Sequence, residues 1–575
     1  MTGRPKAGFW VVVIIVALGL TGYALYNAGI LDKIFPRGSQ GQEGSFSDEE
    51  LKKLTAVEAG DQNTPTTVKE YTFVPATKLP PVKGTSSYKK MEDNTVLFAL
   101  NVWAGWAPIV WANRGFDAGK EWVSPTGRKF KVKLVLIDDP VAMRDSYAAG
   151  EVHIGWATLD MMPLFMEELR KDSRIMPRIY QQIDWSNGGD GIVGREVNNI
   201  GELRGKTIVL AQNSPSHYFV LNALLNAGIQ PSEVNFVFTQ DAFQAAAAFN
   251  NDKKISACVS WAPDIYKLAE VPGNKLLVTT QTANKLIADV WFARADFAKD
   301  NIDIIEGLVR GIFDAIEELK DENNKKEVAK LMAAGYSIST DEAYAMLSDA
   351  HNTNYAENRE FFLNQNNPAN FERTWDTAYY IYQKIGQVTE KTPFDQVMDF
   401  SIIQKLGKEP KYANQRDEYT VTFTPKSVTS IKAESGEILT KTVIIHFYPN
   451  SWDLYKKITK EEKGKTVEVL YDPNVDTVLE EIGKLAAQYG AARIVIEGHT
   501  DASMRGMVPF QAVEELSFNR ANAVKEALLK KFPTLQPNQF ATQGLGWNVP
   551  ADPRDPDNHA KNRRVEVKVY PLEAQ

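Results

Sequence analysis

Cysteine is nearly absent: the chain has 575 residues and a single cysteine, Cys258. No intramolecular disulfide and no multi-cysteine metal site can form. Cys258 reads as a small buried apolar side chain. Histidine is scarce as well, with 6 residues, none of them clustered. There is no H-E-x-x-H, no phosphate-binding loop, and no nucleophile–base pair at a readable spacing. The expectation is a protein without catalytic activity, metal or cofactor. Nor is positive charge in excess: the net charge is -8 and the pI about 5.6. No basic stripe with interleaved aromatics occurs, so nucleic acid is excluded as a partner. Internal repeats are missing too.

Long apolar runs are absent with one exception. Phe9 to Tyr26 is eighteen residues without a charge, rich in Val, Ile, Leu and Ala. A membrane-spanning helix needs about 17–25 such residues. Arg4 and Lys6 precede the run, which places residues 1–8 in the cytoplasm and the chain after Tyr26 outside it. A cleaved signal peptide is the rival reading, but no A-x-A site closes the run.

Residues 27–92 carry no sustained apolar periodicity. Pro36, Gly38, Gly41, Gly44, Thr64-Pro65-Thr66-Thr67 and Pro80-Pro81 mark much of this stretch as a tether, with part of it able to pack on the next domain. From about Thr95 strands and helices alternate. Thr95–Asn101, Val132–Ile137, Val152–Trp156, Lys206–Ala211, Asn235–Phe238 and Ile255–Val259 read as strands. Val141–Ala149, Ser216–Gly228 and Ala245–Phe249 read as helices, and 302–390 is mostly helical. A connector over 406–440, with strand character at Tyr419–Phe423, precedes a second small α/β unit over 441–572. There the pattern predicts strands at Val443–Phe447, Arg493–Glu497 and Val565–Val569. It predicts helices at Asp476–Tyr489 and Leu516–Phe532. The fold class is α/β throughout, with a hydrophobic fraction of 43% to fill its cores.

The C-terminal unit contains, in order, Gly498-His499-Thr500-Asp501, Leu516-Ser517-x-x-Arg520-Ala521, Gly544-x-Gly546 and Asn562-Arg563-Arg564-Val565. This order over 441–572 resembles the OmpA-like peptidoglycan-binding domain. The resemblance implies that Asp501 accepts from the ammonium of a diaminopimelate in the wall's stem peptide, while Arg520 forks onto its carboxylate. That division suits the chemistry of a carboxylate and a guanidinium. Asn562 and Arg563 either border this site or brace the fold. The sequence departs from the family at Ala502-Ser503-Met504-Arg505 and at Val513, and the loop over 502–515 is longer.

Residues 93–405 resemble periplasmic substrate-binding proteins of the nitrate, sulfonate and taurine class. The likeness rests on Trp103-Ala104-Gly105-Trp106-Ala107-Pro108, Asp145-x-x-Ala148-Ala149-Gly150-Glu151-Val152-His153-Ile154-Gly155-Trp156, Leu203-Arg204-Gly205-Lys206-Thr207-Ile208, Ser214-Pro215-Ser216-His217-Tyr218 and Ser260-Trp261-Ala262-Pro263-Asp264. It implies two α/β lobes closing on a ligand, one from 93–194 and 286–405, the other from 195–285. Ligands of open α/β sheets sit beyond the carboxyl ends of the strands. Trp103, Trp106, Asp160, Ser214, Ser216, His217, Trp261 and Asp264 are the candidate contacts. Ser214 and Ser216 open a helix whose N-terminus suits an anion, whereas Asp160, Asp264 and Asp289 suit a cation. Trp106 and Trp261 either stack on ligand or pack the core, and His217 is more readily a surface residue at the start of its helix.

Together these readings give an inner-membrane protein, most of it in the periplasm. It would bind an unknown small molecule and attach to peptidoglycan as a sensor or scaffold. Two alternatives are a wall-anchoring subunit of a motor or envelope complex and the capture component of an ABC-type uptake system. No acidic residue lies within Phe9–Tyr26 to carry protons in a motor. The expected topology is testable: a reporter fused after Gly41 is active only if it works in the periplasm. N-terminal sequencing of the membrane fraction should find no start after residue 20.

Overall fold

A computed structural model describes residues 65–462 and 465–572, all within one compact unit spanning 60–575. The apolar run Phe9–Tyr26 lies outside the described residues, and no helix among those described is long and apolar enough to cross a membrane.

Two mixed sheets organise residues 65–405. The first has seven strands in the order Ala350–Asn352, Pro177–Ser186, Ala288–Arg294, Ile154–Thr158, Thr95–Leu100, Lys129–Leu136, Trp122–Val123. The second has six, in the order Phe73–Val74, Asn235–Thr239, Thr207–Ala211, Ala257–Trp261, Asp190–Arg195, Asn274–Thr279. The central strands are buried along nearly their whole length because helices cover both faces of each sheet. Every residue of Ile154–Thr158 and of Ala288–Arg294 is buried. After residue 92 the chain passes between the lobes at 187–189 and at 280–287. The crossings are laced together: Ser186 Oγ donates to Asp190 at 2.8 Å, and the Gly188 amide donates to Thr280 Oγ1 at 2.9 Å.

Two boundaries differ from the sequence reading. Strand Asp190–Arg195, expected in the first lobe, pairs with Ala257–Trp261 and Asn274–Thr279 and so belongs to the second. The larger difference is in the supposed tether. Phe73–Val74 adds an edge strand to the second sheet, antiparallel to Asn235–Thr239. The segment is tied to the second lobe by Thr67 N to Asp264 (2.9 Å), Thr72 N to Gln244 (3.1 Å) and Thr77 N to Gln212 (2.8 Å). It then crosses to the first lobe. There Arg144 donates to the Pro80 carbonyl (2.8 Å), Ser86 N to Ala148 O (3.1 Å) and Tyr88 N to Asp296 (3.1 Å). Gly150 shows how close this strap lies: its φ is +75, and a Cβ there would meet the Ser87 carbonyl at 2.5 Å. Backbone hydrogen bonds hold the strap, and these leave no mark in apolar periodicity.

The C-terminal unit is a four-stranded sheet ordered Leu439–Val443, Val565–Pro571, Ala492–Gly498, Phe540–Gly544. Helix Phe510–Lys531 packs on one face, with helix Val475–Gln488 alongside it. Helix Val428–Glu434 covers the other face through Val428, Ile431, Val495 and Ala541. The first strand lies earlier than Val443–Phe447, and the long helix starts at Phe510 rather than Leu516. The loop is shortened accordingly. Tyr419–Phe423 is extended but pairs with no strand; its carbonyls at Val421 and Phe423 accept from Gln536 and Asn538.

This unit rests on both lobes. Gln488 accepts from Asn222 of the second lobe at 3.2 Å, and Ala491 N donates to Thr282 O at 3.3 Å. Arg373 of the first lobe pairs with Glu480 and lies 5.4 Å from the Phe532 ring.

Arg294 is the main bolt of the strap. Its side chain is fully buried and donates to Asp296 (3.0 Å), to Tyr147 O (2.5 Å) and to Ser86 O (2.5 Å). Removing one partner of a buried pair costs about 3–5 kcal/mol. Arg294→Met should therefore lower the melting temperature and open 78–92 to limited proteolysis. A variant that melts like wild type with this segment still protected contradicts the assignment.

Candidate functional site

The cleft between the lobes is built around carboxylates. Asp184 and Asp289 are direct cross-strand partners, and Asp289 is also opposite Thr158. Asp160 follows the end of strand Ile154–Thr158, and Asp190 opens the first strand of the second lobe. All four acids are at most 4% exposed. Both oxygens of Asp160, Oδ1 of Asp184 and Oδ1 of Asp190 have no hydrogen-bond partner. The hydroxyls of Ser216, Tyr218, Tyr382 and Thr158 are likewise buried and unpartnered. Tyr218 and Tyr382 both lie within range of the charge of Asp160.

Burial without countercharge governs their ionisation. Desolvation pushes Asp160, Asp184 and Asp190 up to about 7, with hydrogen bonds from Trp103 and Ser186 offsetting part of the effect at Asp184 and Asp190. Asp289 is raised well above the carboxylate range, by desolvation first and then by the charges of Asp184, Asp160 and Asp190. The charges acting on these four come from other carboxylates, and no lysine or arginine is among them.

The residues named from sequence divide. Trp103 is in the cleft: its indole donates to Asp184 at 3.2 Å. A Cβ on Gly105 would lie 1.5 Å from the same carboxylate, so the loop's close approach requires glycine there. Asp160 and Ser216 carry buried groups without a hydrogen-bond partner, and Trp261 lies beside Asp190. Trp106 is a core residue, fully buried, with its indole on Asn101 at 2.7 Å. Asp264 is committed to Thr67 of the strap. Ser214 Oγ donates to the Ala211 carbonyl at 2.8 Å. His217 is not a surface residue. It is buried among Phe236, Phe238 and Tyr382, accepts from Asn213 N at 3.3 Å, and is held neutral by desolvation, down to about 3. Asp184, Asp190, Tyr218 and Tyr382 escaped the sequence reading. Their signal was an acid or hydroxyl inside a run otherwise buried, as in Ile179-Tyr180-Gln181-Gln182-Ile183-Asp184-Trp185.

The second site lies in the C-terminal unit. Glycines let its strands approach the long helix closely: a Cβ on Gly498 would meet Ser517 O at 2.1 Å, and one on Gly544 would meet Glu514 O at 2.2 Å. Ser517 is buried and accepts from Gly546 N at 3.0 Å, which locks the Gly544-x-Gly546 turn to the helix. Asp501 accepts from Ser503 N at 2.8 Å and pairs with Arg563 at 3.1 Å, not with Arg520. Arg520 is half-buried, donates its Nε to Ser451 O at 3.1 Å and lies 4.9 Å from the Phe447 ring. Its two terminal nitrogens make no hydrogen bond to the described residues. Desolvation lowers it to about 10, while the nearby charge of Asp501 acts in the opposite direction. Asn562 is a brace: it accepts from Ala551 N (2.8 Å) and donates to Pro556 O (2.6 Å). Arg563 is largely exposed at the rim.

One further cluster was not anticipated. Glu497, His499 and Glu566 bring ligating atoms within 4.8 Å of one another. Lys432 meets Glu497 at 2.5 Å, and Arg564 meets Glu566 at 2.7 Å. Lys568 approaches both at 3.4 and 3.5 Å. Protein cations already balance the carboxylates, so the donor set does not call for a metal.

Comparison with known proteins agrees with this division. Residues 467–564 match the OmpA family, and the C-terminal unit is an OmpA-family domain. The region before it is like periplasmic binding proteins for sulfonate, nitrate and taurine. Outer membrane protein Omp38 of Acinetobacter baumannii is 34% identical over 113 residues, which is 18% of this chain and 30% of that protein. The taurine-binding periplasmic protein of Escherichia coli is 28% identical over 151 residues, 24% of this chain and 46% of that protein. The chain thus spans less than half of either relative. The aliphatic sulphonate binding protein SsuA of Escherichia coli aligns in structure with a TM-score of 0.41 at 14% identity, over 59% of this chain and 98% of its own.

The cleft carboxylates make a linkage prediction. The unfolded chain ionises its aspartates near 4. Between pH 4 and 7 the folded protein keeps a proton on Asp160 that the unfolded chain has lost. Stability therefore falls as pH rises through this window, and the penalty is complete above pH 7. His217 and His499 work oppositely below about pH 6.5, so the informative quantity is variant minus wild type. In the ligand-free protein, Asp160→Asn should raise stability at pH 8 by at least about 1 kcal/mol, with the gain shrinking towards pH 4. A variant that melts below wild type at pH 8 contradicts this.

Proposed function

We propose that this protein is a non-enzymatic binding protein of the bacterial envelope. It takes a small molecule between its two lobes and is fixed to peptidoglycan by its OmpA-family domain. Phe9–Tyr26 would hold it in the inner membrane, with the rest of the chain in the periplasm. The observation that supports wall attachment best is the state of Arg520. Its guanidinium is held at Nε and partly desolvated, and its terminal nitrogens lack hydrogen-bond partners, while Asp501 stays near it without pairing. A zwitterionic diaminopimelate side chain supplies a carboxylate for the fork of Arg520 and an ammonium to take the place of Arg563 on Asp501. Arg563, exposed at the rim, gives up only a screened contact when the ammonium arrives.

Sensing or scaffolding fits better than shuttling for uptake. The OmpA-family domain touches both lobes, so the binding unit is not a free carrier. The same contact favours, as a second reading, a wall-anchored subunit of an envelope complex.

Sacculi containing diaminopimelate should pull down the detergent-solubilised full chain. Asp501→Ala and Arg520→Ala should each weaken capture about ten- to a hundredfold, the loss expected for a hydrogen bond to a charged group. Arg520→Lys should rescue poorly, because an ammonium cannot fork. Wild-type capture by both folded alanine variants sinks the assignment.

A further inference from the structure

The cleft also indicates the class of ligand it accepts, an inference that rests on the small-molecule reading above. We propose that it takes an organic cation with several N–H donors, an amine or guanidine, held by Asp160, Asp184, Asp190 and Asp289. Four observations carry this. The site concentrates four buried carboxylates with no lysine or arginine acting on them. Its unsatisfied atoms are mostly acceptors: both oxygens of Asp160, one each of Asp184 and Asp190, and Oε1 of Gln182. An anion would set acceptors against acceptors, whereas each N–H of an amine removes one orphan. Beside the acids, the buried hydroxyls of Ser216 and Tyr382 make no hydrogen bond, and Tyr218 and Tyr382 both lie within range of the charge of Asp160. Both can accept from a donor that also bridges to a carboxylate. Finally, the indoles of Trp103 and Trp261 stand beside Asp184 and Asp190, and aromatic faces next to carboxylates suit a desolvated cation.

A bare metal ion fits less well. Among the described residues the only three-ligand cluster within 4.8 Å lies in the OmpA-family domain, so the cleft acids do not converge on one point. Acids that do not converge suit a ligand that presents charge and donors at more than one atom. The opposing feature is the N-terminus of helix Pro215–Asn226. Its partial positive charge of about half a unit is less than the charge of one ionised carboxylate.

The test uses the full chain in detergent. Molecules released on denaturation are identified by mass spectrometry. Thermal shifts and calorimetry are then run with putrescine, spermidine, agmatine and choline, with methanesulfonate and nitrate, and with magnesium and zinc ions. The expected result is an organic cation released, or at least one amine bound saturably. Asp184→Asn and Asp160→Asn should each weaken that amine tenfold or more, and the exposed control Glu327→Gln should leave it within about twofold. An anion released or bound, or a metal ion bound alone, overturns the ligand class and leaves the small-molecule reading standing. Nothing released and no shift with any probe overturns both. Amine binding that survives both aspartate variants overturns the site.

Discussion

Much of this protein is arranged around burying four carboxylates with no cation to offset them. Desolvating even one ionised acid costs several kcal/mol, and Asp160, Asp184, Asp190 and Asp289 share one cleft. The antiparallel register that sets Asp289 opposite Asp184 is fixed by the apolar faces of two fully buried strands, where a one-residue slip would turn every side chain to the wrong layer. Above the cleft the crossings are laced by Ser186 and Thr280. Outside it, a strap and a whole domain bear on both lobes.

Sequence and structure agree where side-chain chemistry decides the fold. Continuous apolar strands, the helices at 140–148 and 215–226, and the glycine-marked turns of the wall domain were legible because burial writes itself into residue type. The strap was not, because Thr67, Thr72 and Thr77 are held through backbone amides that any residue supplies. Asp190–Arg195 was placed in the wrong lobe because a buried strand's composition does not say which sheet it joins. The site was half legible. Asp160 and Trp103 stood out by type and position, whereas Trp106 and Asp264 carried the right chemistry but spent it on Asn101 and Thr67. Asp184 and Asp190 become meaningful only once two distant strands are paired.

The wall site shows the complementary lesson. Its motif residues do different jobs at close range. Gly498, Gly544 and Ser517 bring strand and helix together, Asn562 braces a loop, and Arg563 guards Asp501 at the rim. Arg520 keeps its terminal nitrogens uncommitted although its guanidinium is partly desolvated. A motif is thus a mixture of scaffold and chemistry, and only the hydrogen-bond inventory separates the two. The neighbouring Glu497, His499 and Glu566 look like metal ligands by type and spacing, yet lysines and an arginine have already taken the place of an ion.

The strap has a mechanical consequence. A pull on the chain ahead of residue 65, resisted at the wall, enters at Thr67 and meets its attachments one after another rather than all at once. The ties of Thr67 to Asp264 would part first, then the two-residue pairing of Phe73–Val74, then Thr77 and Pro80, and finally Ser86 on the buried Arg294 and Tyr88 on Asp296. Peeled completely, residues 65–92 extend to at most about 90–100 Å, at roughly 3.3–3.6 Å per residue, and the slack is that length less the distance the strap already spans. Low load therefore spends itself on lengthening the strap, and the cleft feels force only when that reserve is gone.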